Sequence, residues 1–209
     1  MALFPTIVAN GTTLEAMDSK WNGASGSVQY YNGVLTNINE YDNNLCWYEN
    51  AQGDTQEVQA IFKAYNRGDG AQIQLVIQAN ATQTGYHADL LASGEVDIER
   101  NNAFVTRLGT SGSLNPVTND VLMRMVYTHT TGVLQVYLNG SLIGSLTDGV
   151  PLTGGYPGLN IYATTNVTNG PAFDEWTDNG MTGSGATIPT AEGHTIMTMM
   201  MGFGVYPVN

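Results

Sequence analysis

The chain has 209 residues, only 11% of them charged, and its 18 acids against 6 bases give a formal net charge of −12. A field of that sign repels phosphate backbones and anionic headgroups, which argues against nucleic acid or a membrane surface as a partner. No stretch reaches the ~20 apolar residues of a membrane span.

The opening segment "MALFPTIVANGTTLEAMDSK" has no basic region followed by an apolar run, so no secretory signal is expected and synthesis in a cytoplasm is the reading. The single Cys46 excludes an internal disulfide framework and reads as a small buried hydrophobe. Asn10, Asn80, Asn139 and Asn166 each begin an N-x-[ST] triplet; in an Asn/Thr-rich chain without an export signal these read as chance matches.

Period-two alternation dominates from there on. In "VQAIFKAY", Val58, Ala60, Phe62 and Ala64 share one face; in "QIQLVIQA", Ile73, Leu75, Ile77 and Ala79 do the same. "GYHADLLASGEVDIER" continues with Tyr86, Ala88 and Leu90, a Ser93-Gly94 turn, then Val96 and Ile98. "VLMRMVYTHTTGVLQVYLNGSLIGSLTD" gives three strands, broken at Thr130-Thr131-Gly132 and at Asn139-Gly140; the latter suits a type I′ hairpin because both residues tolerate positive φ. Pro157-Gly158 then precedes a strand carrying Leu159 and Ile161, and "PAFDEWTDNG" supplies a last short strand. Ten or more short strands, with 25 glycines to turn between them, imply an all-β fold, a two-sheet antiparallel jelly-roll sandwich.

From about Met181 the texture changes. "TGSGATIPTAEGH" reads as a Gly/Ser/Thr linker and "TIMTMMMGFGVYPVN" as a charge-free apolar arm that would pack on its own domain or on another chain. The expected division is a domain over residues 1–180, with a short N-terminal arm, and an extension over 181–209.

The order of these pieces is similar to the concanavalin A-like lectin/glucanase superfamily, in its laminin-G-like branch. The carriers are "YHADLLASGEVDIER", a strand from Val136 ending in Asn139-Gly140, a return over Leu142 to Leu146, a Gly-x-Pro-Gly turn from Gly155 to Gly158, and Phe173-Asp174 in a closing strand. The resemblance covers about residues 12–180. It implies two curved antiparallel sheets and one concave face that binds carbohydrate in many relatives. An activity does not follow from it, because this fold hosts lectins, hydrolases, adhesion modules and virion proteins.

Within it, "SGEVDIERNN" holds Glu95, Asp97 and Glu99 in an E-x-D-x-E pattern, which puts three carboxylates on one face of a strand. In the family-16 glycoside hydrolases of this fold the matching residues would be nucleophile (Glu95), helper acid (Asp97) and general acid/base (Glu99). A retaining pair must come to ~5 Å, whereas Cα atoms four residues apart on a strand lie ~13 Å apart, so the acids would have to lean together at the centre of a cleft. The aromatic lining of such a cleft is thin here: the chain has only Trp21, Trp47 and Trp176, and "LMRMVYTHT" offers Tyr127 and His129 where a Trp belongs. The triplet therefore reads as a polar strand after a turn, and the catalytic assignment is kept only as an alternative.

His87, His129 and His194 show no zinc-ligand spacing and read as surface or hydrogen-bonded residues. Asp42, Asp54, Asp148, Asp174, Glu175 and Asp178 are loop or strand-end acids of the kind that hold Ca2+ in some relatives; the resemblance leaves a calcium site open, and no other cofactor is expected. Arg67-Gly68-Asp69 is explained by a turn. "GTSGSLNP" lacks the lysine and helix of a phosphate loop. Trp47, Tyr48 and Tyr156 are candidates for stacking on a sugar and equally for core or rim packing.

Two readings follow. The first is a non-catalytic virion protein of a tailed bacteriophage, a capsid-decoration or fibre subunit that is homo-oligomeric or docks on another virion protein through its apolar arms. The alternative is a carbohydrate-binding, lectin-like module. A β-glucan hydrolase ranks behind both.

Overall fold

A computed structural model of the chain describes residues 9–31, 34–38, 43–50, 52–63, 72–91, 93–109, 120–162 and 173–178. The expected linker and both apolar arms, the Arg67-Gly68-Asp69 turn, Asp42 and His194 lie outside the described residues.

Fifteen strands are described: β1 (Thr12–Thr13), β2 (Trp21–Gly23), β3 (Val28–Tyr31), β4 (Val34–Asn37), β5 (Asn43–Tyr48), β6 (Thr55–Phe62), β7 (Gln72–Ala79), β8 (Tyr86–Leu90), β9 (Val96–Arg100), β10 (Ala103–Leu108), β11 (Val121–Thr128), β12 (Val133–Leu138), β13 (Ser141–Thr147), β14 (Tyr156–Tyr162) and β15 (Phe173–Asp178). A four-residue helix, α1 (Leu14–Met17), follows β1, and the Thr13 side chain caps it by accepting from the Ala16 N–H.

The strands form two sheets, one ordered β1-β3-β4-β15-β6-β11-β12-β13 and the other β10-β9-β8-β7-β14-β5-β2. The described pairings are antiparallel, with Val58 opposite Met125, Leu75 opposite Ala88 and Leu159 opposite Cys46 among them. The chain is thus an all-β, two-sheet antiparallel sandwich of jelly-roll type, as its alternation implies.

The core forms where the inward sides of the two sheets meet. One sheet contributes Val58, Ala60, Phe62, Met123, Met125 and Tyr127; the other contributes Ile73, Leu75, Ile77, Ala88, Ile98 and Leu159. Each is removed from water, and the Val, Leu, Ile, Phe and Met side chains among them contribute roughly 1.5–3 kcal/mol each. One end is closed by Trp21, Trp176 and Tyr48, with ring centroids 4.8 Å apart for the two indoles and 5.3 Å for Trp21 and Tyr48. Cys46 is fully buried, and burial pushes its thiol pKa up, so the structural reading of that residue holds.

The Asn139-Gly140 hairpin has φ values of 47° and 81°, the left-handed pair that a type I′ turn requires. One local expectation fails. Pro157 and Gly158 do not form a turn ahead of a strand; both lie inside β14, where the pairing with β7 shifts register between Tyr156 and Gly158. A bulged position makes no ladder bond, so the N–H that proline lacks is not missed there. Tyr127 likewise faces the core and is fully buried, so it lines no cleft.

Candidate functional site

On the outer face of the seven-stranded sheet the registers place side chains in continuous rows. One row runs Glu99, His87, Val76, Gly158, Trp47 and Asn22 across β9, β8, β7, β14, β5 and β2. The next runs Arg107, Asp97, Asp89, Gln74, Asn160 and Leu45, starting from β10.

Unusually for an outward face, Gln74, Val76, His87, Asp89 and Asn160 are all buried. Buried polar groups must find partners or carry a penalty. His87 Nδ1 lies 2.7 Å from the Gln74 side-chain amide, His87 Nε2 lies 2.9 Å from Thr84 O, and the Asn160 amide is 2.8 Å from that of Gln74. Burial holds the His87 imidazole neutral, with its pKa lowered to about 4, so only one ring nitrogen carries a proton. Thr84 O can only accept, so the proton belongs on Nε2 and Nδ1 must accept. An amide can be turned over without changing its shape. As placed, Asn160 Nδ2 donates to Gln74 Oε1; with both amides turned over, Gln74 Nε2 donates to His87 Nδ1 and to Asn160 Oδ1.

At one end of this face lies a pocket of about 440 Å3 lined by Leu45, Trp47, Asn80, Ala81, Thr82, Gln83, Thr84 and Asn101. Its wall is the β7–β8 hairpin, folded locally by Asn80: Oδ1 accepts from Thr82 N (2.8 Å), Thr82 Oγ1 (2.8 Å) and Gln83 N (2.9 Å). That hairpin is tied to the segment ahead of β14, because Asn80 Nδ2 donates to Gly154 O (3.2 Å) and Gln83 Nε2 donates to Gln78 O (2.7 Å) and Thr153 O (3.2 Å). The same segment is pinned from below: Tyr86 Oη donates to Asp148 (2.6 Å), and Arg100 pairs with Asp148 at 2.9 Å. Burial alone would raise the Asp148 pKa, but the Tyr86 hydroxyl, the Val150 N–H and Arg100 together hold it below its ordinary value.

Trp47 is the pocket's large aromatic surface. Its placement depends on Gly23, which has φ of +76°; a Cβ there would come within 2.4 Å of Leu45 O and 2.6 Å of the Trp47 ring. Glycine on the edge strand thus lets the indole lie against β2 with its remaining surface half-exposed at the pocket.

The acidic triplet shares the outer face, but none of its three residues lines the pocket. β9 is one strand in from the sheet edge, whereas β7 is the central strand. Glu95 stands just ahead of β9 and accepts from Ser93 Oγ (2.9 Å), within the turn that Gly94 closes at φ 84°. Asp97 is held by both sides of the Arg107 fork, at 2.6 and 2.9 Å. Glu99 faces Phe104 on the edge strand and His87 on β8.

Of the acids singled out as calcium ligands, Asp54 caps the Thr130 turn and Asp178 accepts from Asn50 Nδ2, while Asp148 holds Tyr86 and Arg100. The side chains of Asp174 and Glu175 are not among those described. Among the described residues no group of three or more His, Cys, Asp or Glu side chains is placed to hold a metal ion. Trp47 was legible as a stacking candidate and lies in the pocket, whereas Tyr48 belongs to the core. The Asn80–Thr84 hairpin was missed as a site; its one signal was the Asn-x-Thr triplet, which serves as a side-chain-closed turn.

No family model matches the chain, and no curated protein does. Solved structures do. Carbohydrate-binding module CBM66 from Bacillus subtilis superposes with a TM-score of 0.56 at 17% identity, covering 76% of this chain and 94% of that one. The exoplasmic/lumenal domain of VIP36, in a Ca2+/Man3GlcNAc-bound form, gives 0.56 at 12% identity over 87% and 94%. A native glycosidic hydrolase gives 0.53 at 12% over 79% and 92%. At these identities the likeness establishes the fold alone, an all-β jelly-roll sandwich.

Proposed function

We propose that the chain is a non-catalytic carbohydrate-binding domain whose ligand sits in the pocket beside Trp47. The observation that carries this reading is the pocket itself: a volume of about 440 Å3 on the outer face, one indole, and a lining of amides and hydroxyls from Asn80, Thr82, Gln83, Thr84 and Asn101. Sugars present an apolar C–H face that stacks on an aromatic ring and a rim of hydroxyls that both donate and accept, as amide and hydroxyl side chains do. The size falls in the usual range for a small-molecule site. Similarity in fold to a carbohydrate-binding module and to a Man3GlcNAc-bound domain supports it further. It favours the carbohydrate-binding alternative over the virion reading, on which none of these findings bears. The non-catalytic part rests on the triplet's place near the sheet edge and on Asp97 being occupied by Arg107.

A glycan array with recombinant protein, followed by calorimetry on the hits, tests the proposal. Binding should be clear for the native chain and about tenfold weaker for Trp47→Ala, since removing the indole's apolar contact with a sugar's C–H face loses on the order of 1.5 kcal/mol of buried apolar surface. Equal binding by a folded Trp47→Ala variant would overturn the assignment of the pocket, and release of reducing ends from β-glucans that Glu95→Gln abolishes would overturn the non-catalytic part.

A further inference from the structure

We infer that the pocket selects uncharged sugars and discriminates against carboxylated, sulfated or phosphorylated ones; this rests on the glycan-binding reading above and narrows its ligand class. Among the described residues, none that lines the pocket carries an ionisable side chain. The strong, charge-assisted hydrogen bonds to an anionic sugar come from charged donors, usually Arg or Lys. Five basic residues lie among the described residues, and four are already committed to carboxylates: Lys63 to Asp120 at 2.5 Å, Arg100 to Asp148 at 2.9 Å, Arg107 to Asp97 at 2.6 Å and Arg124 to Glu57 at 2.8 Å. The fifth, Lys20, lies over the Tyr48 ring at 5.7 Å, beside the Asp18 that accepts from the same tyrosine.

Arg100 is the cation adjacent in sequence to the pocket residue Asn101, and its guanidinium also donates to Val150 O. To turn it toward a ligand would strip Asp148 of its paired cation and loosen the segment that braces the pocket hairpin. Glu99, two residues from the pocket's Asn101 and on the same face, adds repulsion, as does the net charge of −12. Like charges brought together cost up to several kcal/mol, and salt screens exposed ones over a Debye length of ~8 Å at physiological ionic strength. Discrimination should therefore be about tenfold or more at low salt and should shrink as salt rises.

The experiment uses matched pairs: neutral oligosaccharides and their sulfated or uronic-acid counterparts, titrated at low and at physiological salt. The inference predicts binding of the neutral members, weaker binding of the anionic members, and a gap that narrows with salt. Anionic members bound as well or better would overturn the selectivity while leaving glycan binding intact; no binding by any member would overturn both. Ala81→Lys adds a cation to the lining at an exposed residue, and it should close the gap. A gap unchanged in a folded Ala81→Lys protein would overturn its electrostatic origin.

Discussion

The two outer faces of the sandwich are built on opposite principles. On the eight-stranded sheet, β6 and β11 alternate buried and half-buried residues without a break, and the outward members Glu57, Arg124 and Tyr137 form a solvated set in which Arg124 pairs with Glu57 and lies 4.8 Å from the Tyr137 ring centroid. On the seven-stranded sheet, β7 and β8 are buried on both sides, and the outward members are a hydrogen-bonded cluster of Gln74, His87 and Asn160. The first face tolerates change because water replaces whatever is removed. The second cannot, because a buried amide or imidazole deprived of its partner has no water to turn to. A rigid polar floor of that kind holds the pocket hairpin in place through Thr84.

The largest expected effect is on pH dependence. His87 titrates near its ordinary value of about 6.5 when unfolded and at about 4 when folded. The stability this confers is fully present above pH 6.5 and is lost as pH falls through the window from 6.5 to 4, by about 3 kcal/mol in total. Urea unfolding across that window should show the loss, and His87→Gln should flatten it. A curve equally steep in both proteins would remove the contrast between the faces.

Gln74→Ala comes next. It leaves His87 Nδ1 and Asn160 without a shared partner and should cost about 2–3 kcal/mol, read from the urea midpoint. Gly23→Ala should follow, at roughly 1–3 kcal/mol, because its Cβ strikes backbone and φ is +76°. It should also shift tryptophan emission and weaken glycan binding as the indole moves. On the other face, Arg124→Ala should cost under about 1 kcal/mol despite its ion pair and ring contact. If it costs as much as Gln74→Ala, the faces do not differ in the way described.

Much of the architecture could be read from the chain because alternation and turn chemistry are local. Val58, Ala60 and Phe62 face inward as their spacing implies, and Asn139-Gly140 turns as its φ tolerance implies. Gln74 and Gln78 alternate with the inward Ile73, Leu75 and Ile77, yet both are buried, because burial depends on what lies across the face and not on the strand's own pattern. The pocket was hidden for a similar reason. Trp47, Asn80 to Thr84 and Asn101 come together only because β14 pairs with both β5 and β7, an adjacency that no local pattern encodes. The E-x-D-x-E spacing was a true reading of facing side chains, but spacing along a strand carries no information about its distance from the edge of the sheet.

Cys46 gives the strand that carries Trp47 a built-in clock. The thiol points into the core on β5, next to the indole in sequence and on the opposite side of the sheet, and it is inaccessible to reagent while β5 stays paired with β14 and β2. Its rate of labelling under native conditions therefore measures how often that strand opens. A bound ligand that presses on the other side of the same strand should slow the clock, so occupancy of the pocket can be timed from the core without placing a probe at the site.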